Sequence, residues 1–260
     1  MNRAVKPAVL VLFLGLLTVV PARGARILTV AAGCSHGLAL KSDGTVAAWG
    51  YNGENDLGNG SFSNSAERIQ VPGVTGVTAI AAGGEWAGAN YPFGHSLALK
   101  SDGTVWAWGW NGFGQLGNGS YESTNPPAAV INLGGITALA AGGVHSLALS
   151  NGTVWAWGGN NDGQLGNGSS GNNTNRPIAV IGLSGVTALA AGITHSLAIS
   201  NGQVWAWGGN YYGQLGNGTE TSANQPVPVS RLGQVTAIAA GCYHSLAISN
   251  GAVWGWGRCA

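Results

Sequence analysis

Between His145 and Gly158 the chain alternates with a period of two, the spacing at which side chains of an extended strand fall on opposite faces. In Val154-Trp155-Ala156-Trp157 the two tryptophans share one face and the small alanine takes the other. The pattern predicts three short strands, at 136–141, 145–150 and 153–158. Asn151-Gly152 joins the last two as a type I′ hairpin turn, since both central residues of that turn need positive φ. A loop follows Trp157-Gly158, then Gly163-Gln164-Leu165-Gly166-Asn167-Gly168, then a proline-marked segment, 177–181. Proline is tolerated at sheet edges and strand starts, so that segment reads as an outer strand. No helical period of useful length occurs in residues 25–260.

The same pattern is written five times. His36, His95, His145, His195 and His244 mark the register, at intervals of 59, 50, 50 and 49 residues, the long one carrying an insertion from Glu85 to Gly94. Asp43-Gly44, Asp102-Gly103, Asn201-Gly202 and Asn250-Gly251 repeat the hairpin signal. A fixed period of about 50 residues indicates a propeller, solenoid or array. A four-stranded sheet of this size leaves a face unburied on its own, so the units must stack, large faces keyed against small ones. The expected fold is all-β: a β-propeller of about five four-stranded antiparallel blades, with repeats starting near 27, 77, 136, 186 and 235.

The string His-Ser-Leu-Ala-Leu, then Asp/Asn-Gly-x-Val-Trp-Ala-Trp-Gly and Gly-Gln-Leu-Gly-x-Gly, resembles the repeat of the regulator of chromosome condensation family. Residues 104–119 match it nearly throughout, and the resemblance extends over almost all of 27–260. It implies a propeller whose full ring has seven blades. Five units, the last stopping at Trp256-Gly257-Arg258-Cys259-Ala260, imply a ring incomplete or open relative to that one. The first copy is the loosest, with Gly37 after its histidine and Ala47 in place of the first tryptophan.

Composition narrows the function. Arg3 and Lys6 precede an apolar run from Ala8 to Val20, and Ala22-Arg23-Gly24 offers small residues for cleavage. Residues 1–24 read as a signal peptide of a secreted or periplasmic protein, with no stable membrane span after cleavage. An uncleaved anchor is the alternative. The remaining 25–260 carry seven Lys/Arg and nine Asp/Glu, without a basic cluster. Nucleic-acid binding by counterion release needs such a cluster, so no nucleic-acid partner is expected.

Catalytic motifs are missing: no nucleophile elbow, P-loop, zinc helix or calcium loop is present. The expectation is a non-enzyme with no cofactor and no metal. The five histidines belong to separate blades and are expected to open the second strand and bond local backbone. The tryptophan pairs are expected in the core. Asn59, Asn118, Asn151, Asn167, Asn172 and Asn217 head glycosylation sequons, and all but Asn172 precede glycine, which turn geometry also explains. Cys34 and Cys242 hold the same slot in the first and fifth copies, so a disulfide between Cys34 and Cys242 or Cys259 is a possible clasp; small free thiols are the alternative.

The copies differ in two loop sets, after the Trp-Gly and before the histidine, and both carry aromatics. Tyr51, Trp86, Tyr91, Phe93, Trp110, Phe113, Tyr211, Tyr212 and Tyr243 are the candidate protein-binding residues, because aromatics on loops of a rigid scaffold make binding surfaces. The two sets are expected at one end of the blades. The residues point to an exported, protein- or peptide-binding propeller; relatives of the repeat include secreted inhibitors, so inhibition is one form of that binding. Guanine-nucleotide exchange on a small GTPase, the activity of the family's founding member, is the alternative, and a non-functional fragment of a longer propeller protein is another.

Overall fold

The computed structural model describes residues 25–86 and 92–258; the expected signal peptide lies outside them. Among the described residues nineteen strands form five antiparallel sheets. The first blade holds β1 (Ile27–Ala32), β2 (His36–Lys41), β3 (Val46–Gly50) and β4 (Ser65–Gln70); the second β5 (Val77–Trp86), β6 (Pro92–Lys100), β7 (Val105–Gly109) and β8 (Thr124–Ala129). The third holds β9 (Ile136–Ala141), β10 (His145–Ser150), β11 (Thr153–Gly158) and β12 (Thr174–Ala179). The fourth holds β13 (Val186–Ala191), β14 (His195–Ser200), β15 (Gln203–Gly208) and β16 (Ala223–Pro228); the fifth β17 (Val235–Ala240), β18 (His244–Ser249) and β19 (Ala252–Gly257). Strands pair in chain order within every blade, and the fifth lacks an outer strand among the described residues.

Turn chemistry sets the strand ends. Asn151, Asn201 and Asn250 take positive φ, as does the glycine after each, as the type I′ assignment requires. The asparagines of the Leu-Gly-Asn-Gly stretch cap their own turns: Asn118 Oδ1 accepts the Ser120 N–H at 3.0 Å and Asn217 Oδ1 the Thr219 N–H at 3.1 Å. This is the local side-chain-to-backbone bond that asparagine makes in turns.

Two expectations shift. The outer strand of the third blade runs Thr174–Ala179 rather than 177–181, because the strand begins before its proline. Gly158 pairs with Thr174 and Ala156 with Ile178, and Pro177 sits in the register break between them, where no N–H is needed. The insertion from Glu85 to Gly94 is not a simple loop. It lengthens the β5–β6 hairpin, with Glu85 opposite Phe93 and Trp86 opposite Pro92.

The core lies between blades. Leu97, Leu99, Val105 and Ala107 of the second blade bury against Ala148 and Trp157 of the third. Leu197, Ile199, Val204 and Ala206 of the fourth meet Ala247 and Trp256 of the fifth in the same way. Each blade thus offers a leucine-valine face to the next and receives it on an alanine-tryptophan face. Among the described residues the series does not close into a ring. Leu246, Ile248 and Val253 of the fifth blade are 39%, 37% and 73% exposed, whereas the equivalent Leu97, Leu99 and Val105 are 0%, 5% and 1%. Ile27, Leu28 and Val30 on the first inner strand are exposed as well. The five blades form an open arc.

The inner strands approach so closely that glycine is obligatory there. The Gly84 N–H donates to the Gly142 carbonyl at 3.0 Å and the Gly143 N–H to the Gly192 carbonyl at 3.0 Å, stitching neighbouring blades around the axis. A Cβ on Gly142 would stand 2.6 Å from the Gly192 oxygen and collide with the His145 ring. Gly142→Ala is therefore expected to destabilise the protein by about 2–4 kcal/mol. Gly134→Ala, whose Cβ would meet nothing within 4 Å, is expected to stay within about 0.5 kcal/mol. Chemical denaturation of the two variants measures the difference.

Candidate functional site

Each joint between blades is built on one backbone carbonyl. The Gln115 carbonyl of the second blade accepts the Ser146 hydroxyl at 2.8 Å and the Trp157 indole N–H at 2.8 Å, both from the third. Gln164 does the same for Ser196 and Trp207, at 2.9 Å each, and Gln214 for Ser245 and Trp256, at 2.9 and 2.8 Å. In the first joint the carbonyl is that of Asp56, holding Ser96 at 3.0 Å and Trp108 at 2.9 Å. Behind each serine stands the histidine of the preceding blade. His36, His95, His145 and His195 reach Ser96, Ser146, Ser196 and Ser245 at 2.9, 2.9, 2.9 and 3.0 Å. The serine proton is committed to the carbonyl, so the imidazole Nε2–H must donate to the serine oxygen.

This corrects the reading of the histidines. His36, His145, His195 and His244 do open the second strand of their blades, while His95 lies three residues inside β6. The rings of His36, His95, His145 and His195, however, bond the next blade rather than local backbone. Their Nδ1 atoms are buried without a partner, and a second ring proton would have nothing to accept it. Burial accordingly lowers the pKa to about 4 in His36 and His195 and about 3 in His95 and His145, with neighbouring imidazoles adding to the effect in all but His36. Trp108, Trp157 and Trp207 are fully buried; Trp254 is half exposed at the open end. In the first blade Gly37 stands where the others carry the serine. The Trp49 ring lies where its Cβ would be, 2.5 Å from that point.

The two variable loop sets do share one end. The residue after each Trp-Gly donates its N–H to the loop before the histidine: Tyr51 to Ser35, Trp110 to Gly94, Gly159 to Val144, Gly209 to Thr194 and Arg258 to Tyr243, at 2.8 to 2.9 Å. The axial cavity opens here, about 560 Å³ lined by the inner strand ends and by Cys34, Glu85, Ile193, Cys242 and Tyr243. Burial and the Asp162 carboxylate raise the pKa of Glu85.

The candidate aromatics fall into two groups. Phe93 stacks on Trp110 with ring centroids 4.1 Å apart and planes at 15°, and Phe113 meets Trp110 edge-on at 5.1 Å. Tyr212 meets Tyr243 at 5.1 Å, and the Arg258 guanidinium lies over the Tyr212 ring at 5.0 Å. Tyr211, 64% exposed, is oriented by its hydroxyl, which donates to Asp162 Oδ1 at 2.8 Å. The Tyr51 ring folds over Gly53. Trp86 closes β5 opposite Pro92, and Tyr91 lies outside the described residues. Arg258 and Asp162 are members of this face that sequence reasoning missed, since neither stands out in the repeat. Cys242 carries a free, exposed thiol, so no bond joins it to Cys34. Cys259 lies outside the described residues.

Residues 15–260 match the RCC1-like domain, and the chain belongs to this propeller family. Among its relatives, it is 33% identical to the Arabidopsis thaliana ultraviolet-B receptor UVR8 over 131 residues, 49% of this chain and 28% of the receptor. It is 39% identical to the probable human E3 ubiquitin-protein ligase HERC6 over 127 residues, 46% of this chain and 12% of that protein. Of solved structures, human WBSCR16 superposes with a TM-score of 0.77 at 27% identity, covering 90% of this chain and 62% of that one. Yeast RCC1 (Prp20), solved bound to Kap60, gives 0.76 at 25%, covering 90% and 56%. The chain thus spans about three fifths of the propellers it superposes on, and less of the curated relatives.

If the carbonyl relay holds the blades together, deleting one hydroxyl strands a buried imidazole N–H and half-empties a carbonyl. Ser196→Ala is expected to cost about 1–3 kcal/mol, measured by chemical denaturation. A cost no larger than that of the exposed Ser170→Ala would contradict the relay.

Proposed function

We propose that the chain is an exported, non-enzymatic propeller arc that binds a protein or peptide through its loop end. The observation that carries this reading is the convergence of both variable loop sets on one end, where Tyr211 and Tyr212 stand exposed beside Tyr243 and Arg258. Tyrosine, tryptophan and arginine dominate the energetics of protein interfaces, because each combines a large apolar area with a polar handle. The Tyr211 ring is held in place by Asp162 and loses little further freedom on binding, which favours affinity. Yeast RCC1 (Prp20), solved with Kap60 bound, is a precedent for protein binding by a protein that contains a similar propeller. Inhibition of the partner is one form this binding takes.

Export rests on the charge-then-apolar pattern of residues 3–20, and recovery of a chain beginning at Ala25 outside the cytoplasm is the expected outcome. Guanine-nucleotide exchange on a small GTPase ranks behind binding alone, since only the shared repeat points to it.

Affinity capture from the exported proteins of the source organism tests the binding face. Replacing Tyr51, Trp110, Phe113, Tyr211 and Tyr212 together with alanine is expected to weaken capture by at least about 30-fold, the effect of one or more hot-spot residues. Unchanged capture by a folded variant would move the site elsewhere.

A further inference from the structure

The first joint differs from the other three in one residue. Gln115, Gln164 and Gln214 each turn their side chain back to the chain, where Oε1 accepts the N–H of Phe113, Asp162 and Tyr212 at 3.1, 2.9 and 2.9 Å. Asp56 occupies the same position in the first copy and is one methylene shorter. Its side chain is fully buried, and neither carboxyl oxygen makes a well-formed hydrogen bond. Burying a carboxylate without a compensating donor is strongly unfavourable, so the group keeps its proton instead.

The surroundings offer little relief: the backbone N–H groups of Asp56, Glu54 and Gly94 favour the charged form, but burial outweighs them. Asp56 lies against the backbone of β6 at Gly94 and of β7 at Gly109: a Cβ on Gly94 would strike Oδ1, and one on Gly109 would stand 3.4 Å from it. From β2 comes His36, whose unpartnered Nδ1 is 3.0 Å from the same Gly94 position. That ring is held neutral, its pKa lowered to about 4 by burial. From β6 and β7 come His95, also neutral at its pKa of about 3, and the uncharged Trp108. The one charged neighbour on its own loop is Glu54, of like sign, and no cation offsets it. Burial first, and the Glu54 carboxylate second, raise the Asp56 pKa to about 7.

The same residue supplies the carbonyl that holds Ser96 and Trp108. A charge forced onto its side chain therefore acts on the bond that joins two blades. We propose that the joint between the first and second blades is a proton-gated hinge, closed while Asp56 carries its proton and loosened when it gives the proton up, whereas the three glutamine joints do not respond.

The sign follows from linkage. An opened joint exposes Asp56 to water, where its ordinary value of 3.8 applies, so opening releases a proton. The closed joint keeps its full stability below about pH 4, loses it as pH rises through about 7, and levels off above. The neutral histidines weight global stability the opposite way, since their folded values lie below 6.5. The hinge must therefore be read locally and against variants.

Hydrogen exchange of the full chain, corrected for the intrinsic rate at each pH, separates the joints. Protection of strands β6 and β7 is expected to fall by more than about tenfold between pH 5 and pH 8 relative to β14 and β15 at the glutamine joint. Asp56→Gln, or Asp56→Asn if the glutamine does not fold, is expected to abolish that difference. The native chain is further expected to show a protonated-carboxyl infrared band at pH 6 that disappears in Asp56→Asn. Equal pH dependence of the two joints in the native chain, or absence of that band, would overturn the hinge.

Discussion

One backbone carbonyl per joint, shared by the serine hydroxyl and the tryptophan indole of the next blade, is the constraint on which the arc depends. It fixes how far one sheet lies from the next, because both donors must reach the same oxygen at about 2.9 Å. The neutral histidine behind the serine completes the chain of donors, and burial away from water makes the network costly to leave half-made. The apolar faces supply most of the driving force through the area they remove from water. They are not directional, however, and the relay is what sets the register in which they meet. Glycine on the inner strands follows from the same spacing, since the blades approach the axis closely enough for backbone to bond backbone.

The loop end inherits its rigidity from these joints. The loop whose residue presents the shared carbonyl is also the loop that carries Phe113, Tyr211 and Tyr212, two or three residues earlier in the chain. An asparagine at the start of each such loop holds it from within: Asn210 Nδ2 donates to the Thr219 and Thr221 carbonyls, and its Oδ1 accepts the Leu215 N–H. Variation between copies is thereby confined to side chains that point away from the scaffold. At the arc's far end the leucine-valine face of the fifth blade, buried in every other blade, is open.

The blades were legible in the sequence because each strand is specified locally. The bounds expected for the third copy coincide with β9, β10 and β11, since Asn151-Gly152 admits one turn and the alternation admits one facing. The outer strand was placed a few residues late because proline marks a break in the ladder rather than its start. The histidine relay was not legible. Its partners lie 50 to 60 residues apart, and a serine after a histidine reads equally well as an ordinary strand residue. Asp56 carried a signal that went unused: it is the one acid in a position where the other copies carry glutamine. The aromatic face was readable as a set of residues, but its division into a stacked Phe93–Trp110–Phe113 group and a Tyr212–Tyr243–Arg258 group depends on loop geometry that the pattern does not encode.

Nitrogen-15 NMR of the histidine side chains tests the relay most directly, because it reports tautomer and charge ring by ring. The account predicts that His36, His95, His145 and His195 are neutral at pH 5.5 with the proton on Nε2 and Nδ1 bare. Rings protonated on Nδ1 alone would contradict it, for the serine would then lack the donor that leaves its own proton free for the carbonyl; rings carrying both protons at that pH would contradict the burial of Nδ1 without an acceptor.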